Sequence, residues 1–248
     1  MITENILNNK KIILDNFNKG KFEKVIKLGK KFLKKNNDFQ VLYALGVTNL
    51  TLKDYFEAEK FFRNIISLKP NAENYYIYGN IQKQLKNYNE ASEYFLKAIN
   101  LKSDYSEAYN NLGNTKFKLG FIDEAVKNYK KAIKFNKKNF PAYFNLAHAY
   151  SEEKRFDDLK KVLQDVLKFD ENNTTALNDL GYLNLILGNV DEGRKLFEKV
   201  IKIDDKHIKA LKNYFLITKV EKDNEYLKKL EKLDLSKAND EDKIFAYT

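Results

Sequence analysis

Cysteine and tryptophan are absent from the 248 residues, methionine occurs once, and proline and histidine occur twice each. Without cysteine there is no disulfide framework, no thiol nucleophile and no cysteine-ligated zinc. The opening stretch, "MITENILNNKKIILDNF", lacks the apolar core of a signal peptide. No apolar run approaches the ~18–20 residues of a membrane span. These absences set the expectation of a cytoplasmic chain with no membrane partner. Arginine is scarce: only Arg63, Arg155 and Arg194 stand among 45 basic residues. Arginine is the preferred fork for phosphates and base edges. A net charge of +10 carried by lysine therefore argues against specific nucleic-acid recognition. Abundant Lys, Asn, Ile and Phe together fit the coding bias of an AT-rich genome.

What is present is apolar material in a regular pattern. The chain is 43% hydrophobic and 14% aromatic, enough to build a core. One signature recurs: "NKGKFEKVI" (18–26), "TLKDYFEAE" (51–59), "QLKNYNEAS" (84–92), "KLGFIDEAV" (118–126), "EEKRFDDLK" (152–160) and "ILGNVDEGR" (186–194), always 33 or 34 residues apart. Gly46, Gly79, Gly113, Ala147 and Gly181 share that interval, as do Phe62, Phe95, Tyr129, Leu163 and Phe197. Within a unit the apolar period is helical. Each unit reads as two helices broken near a turn such as "KLGF", where Gly120 can take the left-handed conformation. Acids gather where each second helix starts: Glu57, Glu90, Asp123, Asp157 and Asp191, favouring the positive end of the helix dipole. A glycine inside a helix costs about 0.8–1 kcal/mol relative to alanine, so a column of them points to packing.

The spacing, the Leu112–Gly113 pair, Ala125, Tyr129 and Ala132 resemble the tetratricopeptide repeat. The resemblance covers about 6–207 in six units: 6–38, 39–71, 72–105, 106–139, 140–173 and 174–207. A further helix is expected at about 208–220, and another in "EYLKKLEKLDL" (225–235) within a C-terminal segment 221–248. The resemblance implies an all-α fold, a right-handed superhelical solenoid of antiparallel helix pairs forming one domain over 1–248. Ala147 stands where the family has Gly and Leu159 where it has Ala, so 140–173 is expected to pack more loosely.

In that family the first helix of each repeat lines a concave groove that binds a protein or peptide partner. Carried onto this chain, the groove takes Asn80, Asn111, Asn114, Asn145, His148, Asp179, Tyr182 and Asn213. Its N-terminal end is apolar, with Tyr43, Ala44, Val47, Leu50, Tyr76 and Ile77, a surface open to a partner helix or to self-association. Asn111, Asn145, Asp179 and Asn213 lie 34 residues apart at one position, and an amide offers both a donor and an acceptor. They read as a ladder for the main chain of an extended segment, similar to that of the O-linked N-acetylglucosamine transferases. The ladder side chains are expected to face solvent in the free groove, so their removal should barely affect stability. The carboxylate clamp of chaperone-binding repeats is matched in its asparagines alone. The equivalent positions hold Tyr76, Asn80, Asn111, Pro141 and Asn145, with every cation missing.

No phosphate loop, nucleophile elbow or HExxH motif occurs, so the expectation is a non-catalytic scaffold with no cofactor and no metal site. His148 and Glu152, one helical turn apart, with Asp179 on the next unit, read as polar groove wall. His207 reads as a solvated residue at a repeat junction. An alternative is the substrate-recognition arm of a larger sulfotransferase-like or glycosyltransferase-like enzyme cut at Thr248. The ending "LDLSKANDEDKIFAYT" (233–248) resembles the approach to the catalytic domain in bacterial tetratricopeptide-repeat sulfotransferases, although it holds no sulfotransferase motif.

Overall fold

The computed structural model describes residues 2–218, and among these every regular element is an α-helix. In order they are α1 (Ile2–Asn18), α2 (Phe22–Leu33), α3 (Phe39–Thr51), α4 (Tyr55–Leu68), α5 (Ala72–Gln84), α6 (Tyr88–Leu101), α7 (Ser106–Lys118), α8 (Ile122–Phe135), α9 (Phe140–Glu152), α10 (Phe156–Phe169), α11 (Thr174–Ile186), α12 (Val190–Ile203) and α13 (Ile208–Ile217). They form six helix pairs in the expected register, followed by α13. The helix expected at 225–235 and the ending at 233–248 lie outside the described residues. The chain groups into two compact units, Met1–Ala142 and Tyr143–Thr248. The division falls inside α9, the first helix of the repeat that carries Ala147 and Leu159.

Small residues meet large ones inside each pair. A Cβ placed on Gly46 would stand 2.7 Å from the Phe62 ring, on Gly79 2.8 Å from Phe95, on Gly113 2.6 Å from Tyr129, and on Gly181 2.7 Å from Phe197. Real Cβ atoms do not approach that closely, so the glycine column is the slot for the aromatic column. Phe62, Phe95 and Phe197 are fully buried as a result.

Starts and turns are built from side chains the repeat signature does not include. Asp38 Oδ1 accepts from the backbone N–H of Gln40 and Val41 at 2.9 and 3.1 Å. Asn71 accepts from Asn74 N at 2.8 Å, Asn139 from Ala142 N at 3.2 Å, and Asn173 from Ala176 N at 3.1 Å. These N-caps stand at one repeat position, and His207 completes them, its Nδ1 accepting from Ala210 N at 3.1 Å. His207 is thus a helix cap rather than a merely solvated junction residue, because its ring nitrogen replaces the usual Asx oxygen.

The turn after each first helix needs positive φ. Glycine supplies it at Gly20, Gly120 and Gly188, but Lys53, Lys86 and Lys154 adopt φ of 60°, 64° and 54° at the equivalent positions. A side chain in the left-handed region costs about 1–2 kcal/mol, partly offset by the entropy glycine loses on folding. Lys86→Gly is therefore expected to raise stability by about 0.5–1 kcal/mol, whereas Gly120→Ala lowers it by about 1 kcal/mol. Paired urea titrations check both signs.

Candidate functional site

In the first unit, the expected groove amides are engaged with one another. Asn111 Nδ2 donates to Tyr76 Oη at 3.1 Å and to Asn80 Oδ1 at 2.8 Å. Its Oδ1 accepts from Lys83 Nζ at 3.3 Å. Asn111 is half-buried and acts as the hub linking α5 to α7. The expectation that its removal would leave stability untouched is corrected here: its amide closes three hydrogen bonds between neighbouring repeats. Asn114 turns the other way within its own repeat, accepting from Tyr129 Oη at 2.8 Å. Burial pushes the pKa of that phenol up. Lys83 is half-buried, and burial pushes its pKa down.

The apolar end of the groove is a shoulder of the core. Tyr43, Val47, Leu50 and Ile77 are half-buried and pack on Leu42, Phe62, Tyr78 and Ile81. Tyr43 meets Phe62 edge-on with centroids 6.0 Å apart, and Tyr76 lies 4.9 Å from the Tyr105 ring. Ala44 does not belong to this surface. It is buried with Val25, Val41 and Leu45, because α1 packs on that side of α3. Leu14 and Phe17 of α1 join the same cluster.

In the second unit three of the expected groove residues converge. His148, Asp179 and Tyr182 line a cavity of about 330 Å³ with Phe144, Glu152 and Ile186. Ala147 and Leu159, the two departures from the repeat pattern, line it as well. Tyr182 and Ile186 are half-exposed at its rim, at 52% and 49%. Asp179 is half-buried, and burial pushes its carboxyl pKa up, opposed by a hydrogen bond from Asn178 and by Lys209 and His207. Asn178 Nδ2 donates to Asp179 Oδ1 at 3.3 Å, and Asn213 Nδ2 donates to Asn178 Oδ1 at 3.2 Å. The Asn213 link spans 35 residues back along the chain, like the Asn111–Tyr76 link. Asn145 is half-buried on α9. Although His148, Glu152 and Asp179 share the cavity, among the described residues no three His, Asp or Glu side chains are arranged to hold a metal ion.

Two features escaped sequence reasoning. Ile186 and Leu183 line the cavity although neither lay in the expected groove set. Lys83, whose Nζ donates to the amide hub, is likewise outside the expected groove set. Its place in the last turn of α5, one repeat before Asn111, was the only available signal.

The repeat pattern is matched by family profiles. A profile described as TPR repeat matches residues 79–120 and 113–153. One described as tetratricopeptide repeat matches 39–71, 140–173 and 174–207. The chain belongs to the tetratricopeptide-repeat family. Those last three spans coincide with the units read from sequence. No curated protein matches the chain.

Solved structures share this tetratricopeptide-repeat fold. The C-terminal part of a TPR repeat-containing protein from Cytophaga hutchinsonii has a TM-score of 0.73 at 17% identity, covering 95% of this chain and 98% of that one. Pseudomonas aeruginosa pilF has a TM-score of 0.63 at 17% identity, covering 84% and 96%. YrrB, described as a TPR protein with an unusual peptide-binding site, has a TM-score of 0.58 at 21% identity, covering 74% and 95%. Among the described residues no helix is long and apolar enough to cross a membrane.

Proposed function

We propose that this tetratricopeptide-repeat protein is a non-catalytic scaffold that holds a peptide segment of a partner protein against the first helices of its repeats. The carrying observation is the 330 Å³ cavity where His148, Asp179 and Tyr182 meet. Its rim is apolar, from Tyr182 and Ile186, and its wall carries the carboxylates of Asp179 and Glu152. A basic side chain fits this chemistry, its methylenes on the rim and its charged head on the carboxylates. Desolvation of Asp179 strengthens an incoming charge-assisted hydrogen bond. The structural likeness to YrrB, whose description names a peptide-binding site, supports the same class of ligand.

The test is selection of binders from a randomised peptide library on the whole chain. Selected peptides should carry Lys or Arg and lose at least fivefold in affinity on Tyr182→Ala, the anchor loss expected of an interface aromatic (>1 kcal/mol). Asp179→Asn should weaken them by about 1.5–3 kcal/mol. That variant should leave the fold intact and relieve a buried carboxylate. The sign follows from the raised pKa in the folded protein. Protonated Asp179 contributes stability fully below the ordinary carboxylate pKa, and the contribution is lost as pH rises through the raised value. At neutral pH Asp179→Asn should therefore unfold at a slightly higher urea concentration than the wild type. Peptides that bind both variants as tightly as the wild type would place their site elsewhere.

A further inference from the structure

The first repeat leaves open a place that the other repeats fill. Leu42, Tyr75, Tyr109, Tyr143 and Leu177 share one repeat position, which in the first repeat is Asn9. A second shared position carries Lys31, Lys97 and Lys131. In the third and fourth repeats the two positions meet. Lys97 Nζ lies 6.0 Å from the centre of the Tyr75 ring, and Lys131 Nζ lies 5.3 Å from that of Tyr109. Tyr94 and Phe135 back those rings, with centroids 5.8 and 5.5 Å away. The first repeat keeps the lysine and lacks the ring. It holds instead a cavity of about 280 Å³, whose lining includes Asn9, Ile12 and Ile13 of α1 and Lys31, Phe32 and Lys35 of α2. Ile13 and Phe32 are buried, whereas Ile12 is 41% exposed at the rim.

We infer that this cavity takes an aromatic side chain of a partner polypeptide, flanked in the partner by an acidic residue. The incoming ring occupies the place that Tyr75 and Tyr109 fill in their own repeats, against Phe32 and the Lys31 ammonium. An aliphatic side chain would forgo the attraction between ammonium and ring. Size sets the class of ligand. Pockets for drug-sized molecules run from ~300 to 1,000 Å³, so this smaller one matches a single side chain.

Charge sets the flanking residue. No acid lines the cavity, and among the described residues neither Lys31 nor Lys35 is in an ion pair. An acid beside the ring gives both lysines a partner. Such an exposed pair changes affinity only a few-fold, so the ring is the anchor and the acid adjusts it. None of these residues belongs to the groove set, and the site is independent of peptide binding there.

Asn9→Tyr, made in the whole chain, restores the ring from within. It should raise the urea midpoint and close the cavity. An unchanged or lowered midpoint shows that the place does not accept a ring and overturns the inference. Selection from a randomised 12-residue peptide library on wild type, with counter-selection on Asn9→Tyr, tests the ligand. Survivors should carry Phe, Tyr or Trp beside Asp or Glu. Replacing the aromatic residue of a survivor by Ala should weaken binding roughly tenfold or more. Replacing the acid by its amide should weaken it about two- to fivefold, and that loss should vanish in a Lys31→Met, Lys35→Met double variant with a wild-type helical spectrum. Ile12→Asp, a change at the exposed rim, should weaken the same survivors. Survivors without an aromatic residue, or with acids that act equally in the double variant, overturn the inference. Recovery only of peptides that bind Asn9→Tyr as tightly as wild type overturns it too, and leaves the groove scaffold untouched.

Discussion

Phe95→Ala is expected to lower the unfolding free energy by about 3–5 kcal/mol, as removal of a fully buried ring does elsewhere. The ring fills the slot opposite Gly79, and a Cβ on that glycine would lie 2.8 Å from it. Gly79→Ala alone is therefore expected to cost about 1–3 kcal/mol, overpacking outweighing alanine's better helix propensity. In the Phe95→Ala background the obstacle is gone and only propensity remains. The same Gly79→Ala change should then stabilise, by up to about 1 kcal/mol. A double-mutant cycle in urea reads this reversal of sign directly. If Gly79→Ala destabilises both backgrounds equally, the glycine column is not a slot for the aromatic column.

Glu59→Ala is expected to cost about 2–3 kcal/mol, although it lies outside every apolar column. Glu59 Oε1 accepts from the phenol of Tyr78 at 2.7 Å and from Arg63 Nε at 2.9 Å. Tyr78 is 1% exposed, and its other acceptor, Glu90, stands at 3.4 Å. Removing Glu59 leaves a buried phenol poorly satisfied, whereas Tyr78→Phe removes donor and demand together and should cost only ~1 kcal/mol. The pH dependence separates the two. Burial pushes the Glu59 pKa up, but the hydrogen bonds from Tyr78 and Arg63 outweigh it and hold the carboxyl below its ordinary value. A carboxylate with a depressed pKa contributes stability above its unfolded pKa and loses it as pH falls through the folded value. The wild-type advantage over Glu59→Gln should be complete at pH 7 and shrink below about pH 4. An advantage constant from pH 7 to pH 3 would show that the charge plays no part.

The helices, their pairing and the repeat boundaries were legible in the sequence because each rests on a period. The 33- or 34-residue recurrence of Gly46, Gly79, Gly113 and Gly181 against Phe62, Phe95, Tyr129 and Phe197 predicts the slots that the structure contains. The same logic placed His148, Asp179 and Tyr182 on one face, and they line one cavity. Orientation within a column was less legible. Asn114 and Asn80 share a repeat position, yet one serves Tyr129 and the other Asn111. The choice depends on the residue opposite. Tyr129 carries a hydroxyl where Phe95 has none, and the Asn114 amide on the facing helix α7 meets it. Nothing in the local residues Gln84, Leu85 and Asn87 marks Lys86 as left-handed; the signal lies in the repeat register, which aligns it with Gly20, Gly120 and Gly188.

The capping column carries a genetic consequence. Asn71 and Asn139 each open a helix by the same hydrogen bond, while Tyr105, at the equivalent place before α7, offers no side-chain cap. The seams between cassettes are thus interchangeable, and one is weaker than the rest. Excising residues 72–105 would join Asn71 to Ser106 and give α7 the capping residue it lacks. Because each repeat is stabilised mainly by its immediate neighbours, unequal crossing-over at such seams can lengthen or shorten the array one cassette at a time. Array length would then evolve in discrete steps, with no new interior to be invented at the join.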